Sequence, residues 1–371
     1  MLSHFQEFGR NEADAELVKA LHGLFEAGFP EKNTIGGLVL SSWLPSTFDQ
    51  DDGDYDSFAA IPLLNRVADV CDVDGTDESG RTDAALDREH VILLADLLLF
   101  EAAALARHSE SREQQVRTKA CARSLVKAAE LAPRAGAVLD VLPSAEYRSG
   151  AGSLADRSHE LARLALDAVE PIVRHAVEIT MLPTTTLHDE IMFIRCIQVF
   201  ELVYRQVARC LERAVAAVSA GDPARATAEV TDAAARVVAT GTLYRVLTTM
   251  PRDAFAVIRA STQGRSAIQS RAYREVERFG ARLSMEQTDV PDWSLQEAYL
   301  DAFGVARKDD LADAMTELDS AWRAMKRTHW GITLKIIGHA PGTGGTSGVD
   351  FLKESAARPL FPMLHEAGRH G

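Results

Sequence analysis

The sequence predicts an all-α fold, and three observations support this prediction. Apolar residues recur at helical spacing along most of the chain, and alanine and leucine are abundant. Runs of β-branched residues with alternating polarity, which would indicate strands, are scarce. The 371 residues include 46% hydrophobic and 25% charged positions, which is the composition of a globular protein. A chain of this length can bury a core without the help of disulfides.

Apolar positions spaced three and four residues apart predict a series of helices along the chain. Asp222 and Pro223 are a favourable start for one of them, because proline fits the first turn of a helix. The predicted helices cover residues 12–27, 57–71, 87–107, 112–132, 153–181, 188–219, 223–248, 266–284, 294–305, 309–339 and 350–366.

Two stretches rich in proline, glycine or aspartate interrupt the helical pattern, at 28–56 and 134–152. The second stretch is the predicted domain boundary, because such segments often connect compact regions. The sequence therefore predicts an N-terminal helical region of unknown role over 1–150 and a second domain over 151–371.

The charge of the chain restricts its partners. The formal net charge is −14 and the pI is about 5.3, so neither nucleic acid nor an anionic membrane is expected as a partner. The most apolar segment, 91–106, is interrupted by Asp96 and Glu101 and is too short to span a bilayer. No signal peptide is recognisable and the four cysteines form no C-x-x-C pair, so a cytoplasmic location is expected.

A histidine on a predicted helix precedes a loop that is dense in glycine. His329 lies on the helix predicted over 309–339, and the loop over 342–348 contains four glycines in seven residues. Glycines allow close approach of the backbone to a ligand. The loop lacks the lysine of a phosphate-binding P-loop. A plain flexible connector is the alternative interpretation, and a lone helical histidine is more often structural than a ligand.

The spacing between this histidine and the loop resembles the tryptophan 2,3-dioxygenase family, in which the proximal haem histidine precedes a G-T-G-G-S-S-G loop. The resemblance implies that His329 is the iron ligand of a non-covalent haem b. It also implies that Gly342 and Gly345 lie beside the cofactor and that Thr343 and Gly344 lie beside the substrate. Thr343 would meet the substrate ammonium and close over the site.

A second segment, 187–202, resembles the family's H-D-E-x-x-F-I-x-x-H-Q-x-x-E-L helix on the distal side of the haem. The resemblance implies that Phe193 packs on the substrate ring, although a core aromatic is the alternative. Ile197 occupies the position of the family's distal histidine, so an apolar pocket without an imidazole is expected there. The matching residues are His188, Asp189, Glu190, Phe193, Gln198, Glu201 and Leu202.

A third segment, beginning at Gly264, resembles the family's S-G-F-Q-S-x-Q-x-R stretch, with Gln269 and Arg271 retained. The resemblance implies that Arg271 binds the substrate carboxylate, since a guanidinium can hold a carboxylate bidentately. A surface arginine is the alternative. Other arginines nearby are Arg265, Arg274 and Arg278.

Together the three segments predict an enzyme. The first hypothesis is a haem-dependent oxygenase that uses O₂ on tryptophan or a tryptophan-derived metabolite, working as a homodimer or homotetramer in specialised metabolism. The second keeps the haem but is a mono-oxygenase or hydroxylase of an aromatic amino acid, such as tyrosine or a modified tryptophan. The third is a non-catalytic protein that binds haem or an aromatic amino acid.

Overall fold

The computed structural model describes residues 2–28, 35–48, 55–70, 78–108, 111–132, 152–169, 171–261, 270–281, 294–304, 309–338 and 347–367. Within these ranges every regular element is a helix, which confirms the all-α prediction. The α-helices are α1 Leu2–Phe8, α2 Ala15–Ala27, α3 Ile35–Phe48, α4 Tyr55–Phe58, α5 Ile61–Val70, α6 Glu78–Arg107, α7 Arg112–Glu130, α8 Leu154–Asp167, α9 Pro171–Glu178, α10 His188–Ser219, α11 Pro223–Leu247, α12 Arg252–Ser261, α13 Arg271–Gly280, α14 Leu295–Phe303, α15 Asp310–Ile337, α16 Val349–Ala357 and α17 Pro362–Ala367.

The chain divides into two compact units. Unit 1 contains Met1–Phe200 and Thr242–Gln269, and unit 2 contains Glu201–Gly241 and Ser270–Gly371. The division falls within α10 and within α11. The domain boundary predicted near residue 150 lies in 133–151, outside the described residues, and stays a prediction. None of the helices in the described ranges combines the length and the apolar character of a transmembrane span.

Unit 1 is built around α6. This helix packs against α5, α7, α8 and α9. Its residues 91–95 are all buried, and so are Leu97 and Leu98. A helix that is apolar on every side is stable only when neighbours surround it, which explains why α6 lies at the centre.

The N-terminal segment of unit 1 docks on the turn that precedes α10. The backbone N–H of Arg10 donates to the carbonyl of Pro183 at 2.8 Å. Gly9, with a φ of +76°, passes so close to Thr184 that a Cβ would lie 2.5 Å from the Thr184 carbonyl oxygen. The buried Arg10 guanidinium donates to the carbonyl of Ser46 at 2.8 Å. The start of the chain therefore helps to fix the entry into α10.

Part of the stretch predicted to be irregular, 28–56, is helical. Helix α3 covers Ile35–Phe48 and contains Pro45, which removes one helical hydrogen bond. Burial of Trp43 and Leu44 in a core with Phe5 and Leu63 compensates for this loss. The prediction was wrong here because local proline and glycine signals were outweighed by packing against α2 and α5.

The helix predicted over 153–181 is two helices. Ser153 caps α8 by accepting from the backbone N–H of Asp156 at 3.2 Å. Pro171 then starts a separate helix, α9, in agreement with the preference of proline for the first helical position. The apolar periodicity alone did not reveal the break between the two helices, whereas Pro171 indicates the start of the second helix.

Unit 2 contains α13 to α17 with parts of α10 and α11. Its longest complete helix, α15, is capped by Asp309, whose Oδ1 accepts from the backbone N–H of Ala312 at 2.9 Å. The Lys326 ammonium of α15 donates to Glu277 of α13, and α15 also packs against α16. Buried Asp319 accepts a hydrogen bond from the backbone N–H of Leu360. These contacts fix α15 within unit 2.

We expect Gly280→Ala to destabilise the protein. A Cβ at this position would lie 2.5 Å from Cδ1 and 2.7 Å from Cγ of Leu360, so the buried neighbour must move. Overpacking of this kind costs about 1–3 kcal/mol. The free energy of unfolding, measured by chemical denaturation, should fall by this amount. The matched control is Gly241→Ala, where a Cβ meets nothing within 4 Å, and which should leave stability equal or slightly higher. Equal effects of the two changes would contradict the packing described for Gly280.

We expect the described cysteines to be unreactive in the folded protein. Burial raises the pKa of the Cys121 and Cys196 thiols far above its usual range and that of Cys210 to about 12. The reactive thiolate is therefore scarce at neutral pH. A Cys71→Ser variant should give no reaction with a thiol reagent such as DTNB when folded and react fully when unfolded. Rapid labelling of the folded variant would show that one of these thiols is accessible.

Candidate functional site

His329 lies on the interior side of α15. Two buried residues of this helix precede His329, Trp322 by seven positions and Met325 by four. A third, Ile332, follows it by three positions. Such spacing places all four side chains on one face of a helix. The imidazole therefore lies on a mostly apolar buried stripe, which also includes the buried Lys326 three residues before it.

The His329 imidazole is half-buried, and its electrostatic state suits a metal ligand. Loss of surrounding water lowers its pKa to about 4, so the ring is neutral at neutral pH. A neutral imidazole has a ring nitrogen lone pair available for a metal. Among the described residues no three His, Cys, Asp or Glu side chains are grouped as metal ligands. A metal bound by His329 would therefore need its other ligands from a prosthetic group or from beyond these residues.

Two further polar groups lie near His329 in sequence on α15. The Lys326 ammonium is buried and donates to Glu277 Oε1 at 3.3 Å and to the Arg358 carbonyl at 3.1 Å. Burial lowers the pKa of Lys326, although Glu277 opposes this effect. The indole N–H of Trp330 is buried and has no hydrogen-bond partner among the residues that the structure describes. Because buried donors are normally satisfied, Trp330 is open to an acceptor supplied by a bound group.

The loop residues predicted to lie beside haem or substrate are outside the described residues. These are Gly342, Thr343, Gly344 and Gly345. The described structure stops at Gly338, where a φ of 61° ends α15, and resumes at residue 347, just before α16. Since α15 and α16 pack together, the two ends of the loop start from neighbouring helices.

Arg271, the predicted carboxylate ligand, is the first residue of α13. Its side chain is 84% exposed, and its Nε donates to Glu275 Oε1 at 3.0 Å. An exposed pair of this kind contributes little to stability. The family pattern S-G-F-Q-S-x-Q-x-R places its arginine five residues after the first glutamine. With Gly264 as the glycine of the pattern, Gln269 is its second glutamine and Arg271 its arginine. With Gln269 as the first glutamine, the arginine position is Arg274, which is also exposed in the first turns of α13.

The register of α13 against α15 separates Arg271 from His329. Tyr273 stacks on Trp322 at 5.1 Å between ring centroids, and Glu277 meets Lys326, so the two helices run parallel. Arg271 on α13 therefore lies level with the position on α15 that is about nine residues before His329. This corresponds to roughly 13 Å along the helix axis. The structure does not bring these two side chains into contact.

In unit 1, the first residue of the H-D-E segment is held by a buried carboxylate. The His188 ring stacks on Phe100 at 4.3 Å, and its Nε2 lies 3.1 Å from Glu101 Oε2. Glu101 is fully buried, and the same oxygen accepts from Gln114 Nε2 at 2.6 Å. His188 is thus fixed to α6 through its ring face and one nitrogen.

The second residue of the segment, Asp189, is held by Arg117. The Arg117 guanidinium is buried and reaches Asp189 Oδ1 at 2.6 Å. It also donates through Nε to Thr249 Oγ1 at 2.8 Å and lies 3.8 Å from Glu101 Oε1. One arginine of α7 therefore joins the start of α10, the end of α11 and α6.

Glu190, the third residue, fastens α10 to the turn before it. Its carboxylate accepts from the backbone N–H groups of Thr184 and Thr185 at 2.9 and 2.7 Å, and from both of their hydroxyls. Ionised carboxylates form the stronger class of hydrogen bonds. All three residues of the H-D-E segment thus position α10.

Phe193 and Ile197 share one side of α10. They are one helical turn apart, which places them on the same face. Phe193 is half-buried and packs edge-on against Phe255 of α12 at 5.7 Å, with Phe58 at 6.4 Å. Ile197 is 9% exposed. The structure therefore brings the two predicted residues together on a face that is aromatic and aliphatic.

A polar network holds the side of α10 that lies next to the Phe193 face. Arg195 is fully buried and pairs with Asp96 Oδ2 at 2.6 Å. It donates to Gln198 Oε1 at 2.6 Å, and the Gln198 amide donates to the carbonyls of Ala59 and Thr180 at 3.0 and 3.1 Å. The network fixes the rotation of α10 and hence the direction of the Phe193 face.

Sequence reasoning missed several partners of these residues. Glu101, Arg117 and Asp96 belong to the N-terminal region, for which no role was predicted. A signal was present, because Asp96 and Glu101 interrupt a strongly apolar helix and buried carboxylates need partners. Phe255 was missed because no helix was predicted over Arg252–Ser261.

No family model matches the chain. Curated relatives do match, over limited lengths. The chain is 38% identical over 82 residues to the tryptophan 2,3-dioxygenase of Geobacillus thermodenitrificans, which covers 21% of this chain and 29% of the relative. It is 30% identical over 122 residues to that of Paraburkholderia phytofirmans, covering 30% of this chain and 40% of the relative. The chain thus spans less than half of the length of these two relatives.

A longer match extends the similarity. The tryptophan 2,3-dioxygenase of Herpetosiphon aurantiacus is 24% identical over 226 residues, which covers 48% of this chain and 86% of the relative. Identity is low over most of this relative and higher over the shorter matched segments. The chain is therefore similar to tryptophan 2,3-dioxygenases over the segments that these comparisons match.

Proposed function

We propose that this protein is a haem-dependent oxygenase that transfers oxygen from O₂ to the aromatic ring of tryptophan or a tryptophan-like amino acid. The observation that carries the proposal is the position of His329 on the buried, mostly apolar stripe of α15, where desolvation lowers the pKa of the imidazole to about 4, in a chain similar to tryptophan 2,3-dioxygenases. A deprotonated imidazole is the form that ligates iron.

The residues around His329 fit a haem b. Desolvation keeps the imidazole unprotonated, and the described residues form no ligand cluster of their own, so a porphyrin would complete the coordination. The unsatisfied N–H of Trp330 offers a donor to an acceptor on a bound group. When bound, the haem supplies an iron that binds and activates O₂. His329 would hold the iron, and the residues around it would set the polarity of the pocket.

The remaining roles follow the family resemblance. Phe193 packs on the substrate ring, and Ile197 lines the oxygen side without offering a proton. Thr343 binds the amino group, and Arg271 binds the carboxylate. The aromatic contacts of Phe193 with Phe58 and Phe255 support a site for a flat ring. Gly342, Gly344 and Gly345 allow the loop backbone to approach both ligands.

The isoleucine at position 197 supports a second candidate function, which is mono-oxygenation. An isoleucine cannot donate a hydrogen bond to bound oxygen, which the distal histidine of the family is placed to do. Product mass distinguishes the two outcomes, since a dioxygenase adds two oxygen atoms and a mono-oxygenase adds one. The homo-oligomer and the cytoplasmic location predicted from the sequence stay predictions.

We expect His329→Ala to lose stoichiometric haem, because a bond from His329 to the iron would be the main specific anchor of the cofactor. The measurement is the ratio of Soret to protein absorbance after reconstitution with haem. Added imidazole should restore a Soret band in a His329→Gly variant, by replacing the missing ligand. The control is His175→Ala, which removes a histidine that is 70% exposed on α9 and should leave haem content unchanged. Full haem occupancy of His329→Ala would refute the ligand assignment.

We expect one arginine at the start of α13 to bind the substrate carboxylate. Loss of a hydrogen bond to a charged group costs about 1.5–3 kcal/mol, which weakens binding about ten- to hundredfold. The Kd for the amino acid, measured from the Soret shift, should rise in Arg271→Ala if Arg271 is the ligand. The Kd should rise in Arg274→Ala if Arg274, five residues after Gln269, is the ligand. Haem content should stay the same in both variants, and an unchanged Kd in both would remove the carboxylate role from this turn.

A further inference from the structure

Three aromatic side chains of unit 2 form a cluster, which we call the aromatic triad. Tyr273 stacks on Trp322 with 5.1 Å between centroids and 26° between ring planes. Tyr204 packs edge-on against both, at 5.5 Å from Tyr273 and 5.7 Å from Trp322. The rings come from α10, α13 and α15. Such close rings give a continuous path of π-systems through the unit.

The phenol of Tyr273 has a proton acceptor beside it. Its hydroxyl donates to Glu277 Oε1 at 3.0 Å, one turn further along α13. The same oxygen accepts from Lys326 Nζ at 3.3 Å. Lys326 also donates to the Arg358 carbonyl, so it keeps a hydrogen bond if Glu277 takes up a proton. The carboxylate is therefore placed to receive the phenolic proton.

Trp322, unlike Tyr273, has no proton acceptor beside it among the described residues. Its side chain is fully buried, and its indole N–H has no hydrogen-bond partner among the described residues. An oxidised indole at this position would keep its proton, because no described residue accepts it. Positive charge in an apolar interior is unfavourable. An oxidised Trp322 would therefore take an electron from a neighbouring residue that can release a proton at the same time.

We propose that Tyr273 is a redox-active tyrosine, oxidised by one electron through Trp322 with transfer of its proton to Glu277. Tyr273 loses one electron and its phenolic proton, and becomes a neutral radical. Glu277 Oε1 gains that proton, and the oxidant gains the electron. No bond between heavy atoms forms or breaks. A one-electron reductant reverses the reaction by returning the electron, and the proton moves back from Glu277.

The triad is placed near the proposed iron ligand. Trp322 and His329 lie on the same face of α15, two turns or roughly 10 Å apart along the axis. A haem oxidised by a peroxide would supply a one-electron oxidant there, and Tyr273 would remove the oxidising equivalent from the site. Only this connection rests on the proposed function, since the oxidation of Tyr273 requires no haem.

The test uses the full chain without haem and a photogenerated ruthenium(III) tris-bipyridine oxidant, with electron paramagnetic resonance of frozen samples. The wild type should give a tyrosyl radical signal. Tyr273→Phe, which keeps the packed ring but removes the phenol, should lose most of this signal. Glu277→Gln, which keeps a hydrogen-bond acceptor but not a base, should also lose signal, whereas a merely structural carboxylate would not affect it.

The control is Tyr299→Phe, which alters another buried tyrosine of unit 2 and should leave the signal unchanged. Circular dichroism and thermal unfolding verify that each variant is folded. If Glu277→Gln does not fold, Tyr273→Phe still decides. Absence of a tyrosyl signal in the wild type, or a full signal in Tyr273→Phe, would overturn the proposal. If the protein binds haem, peroxide treatment of the haem form should give the same Tyr273-dependent signal, and a signal that survives Tyr273→Phe would overturn the link to His329.

Discussion

Arg117 and Asp189 form the contact on which the placement of α10 depends. Their ion pair is 2.6 Å long, lies in a mostly buried setting and is shared with Glu101 and Thr249. Removing one member of a buried pair leaves an unpaired charge and costs several kcal/mol, even where the intact pair contributes little net stability. The pair therefore fixes the position and rotation of the helix more than it stabilises the fold. The Phe193 face takes its direction from this anchor together with the buried Arg195 and Gln198 network on the next turns of α10.

Helices with clear apolar periodicity and good caps could be predicted from the sequence. Helix α15 and helix α10 begin and end close to their predicted positions because their patterns are long and regular. Helix α3 could not be predicted, since Pro45 is tolerated only through burial of Trp43 and Leu44 against distant residues. Propensity describes neighbours in sequence, whereas this helix depends on neighbours in space.

The candidate site was predicted in part. The sequence located Phe193 and Ile197 on one face of α10, because a spacing of four residues has a fixed geometric meaning in a helix. It did not reveal that His188 stacks on Phe100 and binds Glu101, because these contacts join residues about ninety positions apart. It also gave no information on the pKa of His329, which depends on desolvation by the surrounding unit.

The contact of Gly9 and Arg10 with Pro183 and Thr184 has a consequence for synthesis of the chain. The carbonyls that accept from the backbone N–H groups of Arg10 and Asn11 are encoded about 175 positions later. At a translation rate of about 5–20 residues per second, the segment waits roughly ten to thirty-five seconds before its acceptors leave the ribosome. During that interval Phe5 can pack only against the early part of its core, such as Trp43 and Leu63, while Leu182 is still missing. The nascent chain therefore presents an apolar segment that a chaperone can hold until the turn before α10 emerges.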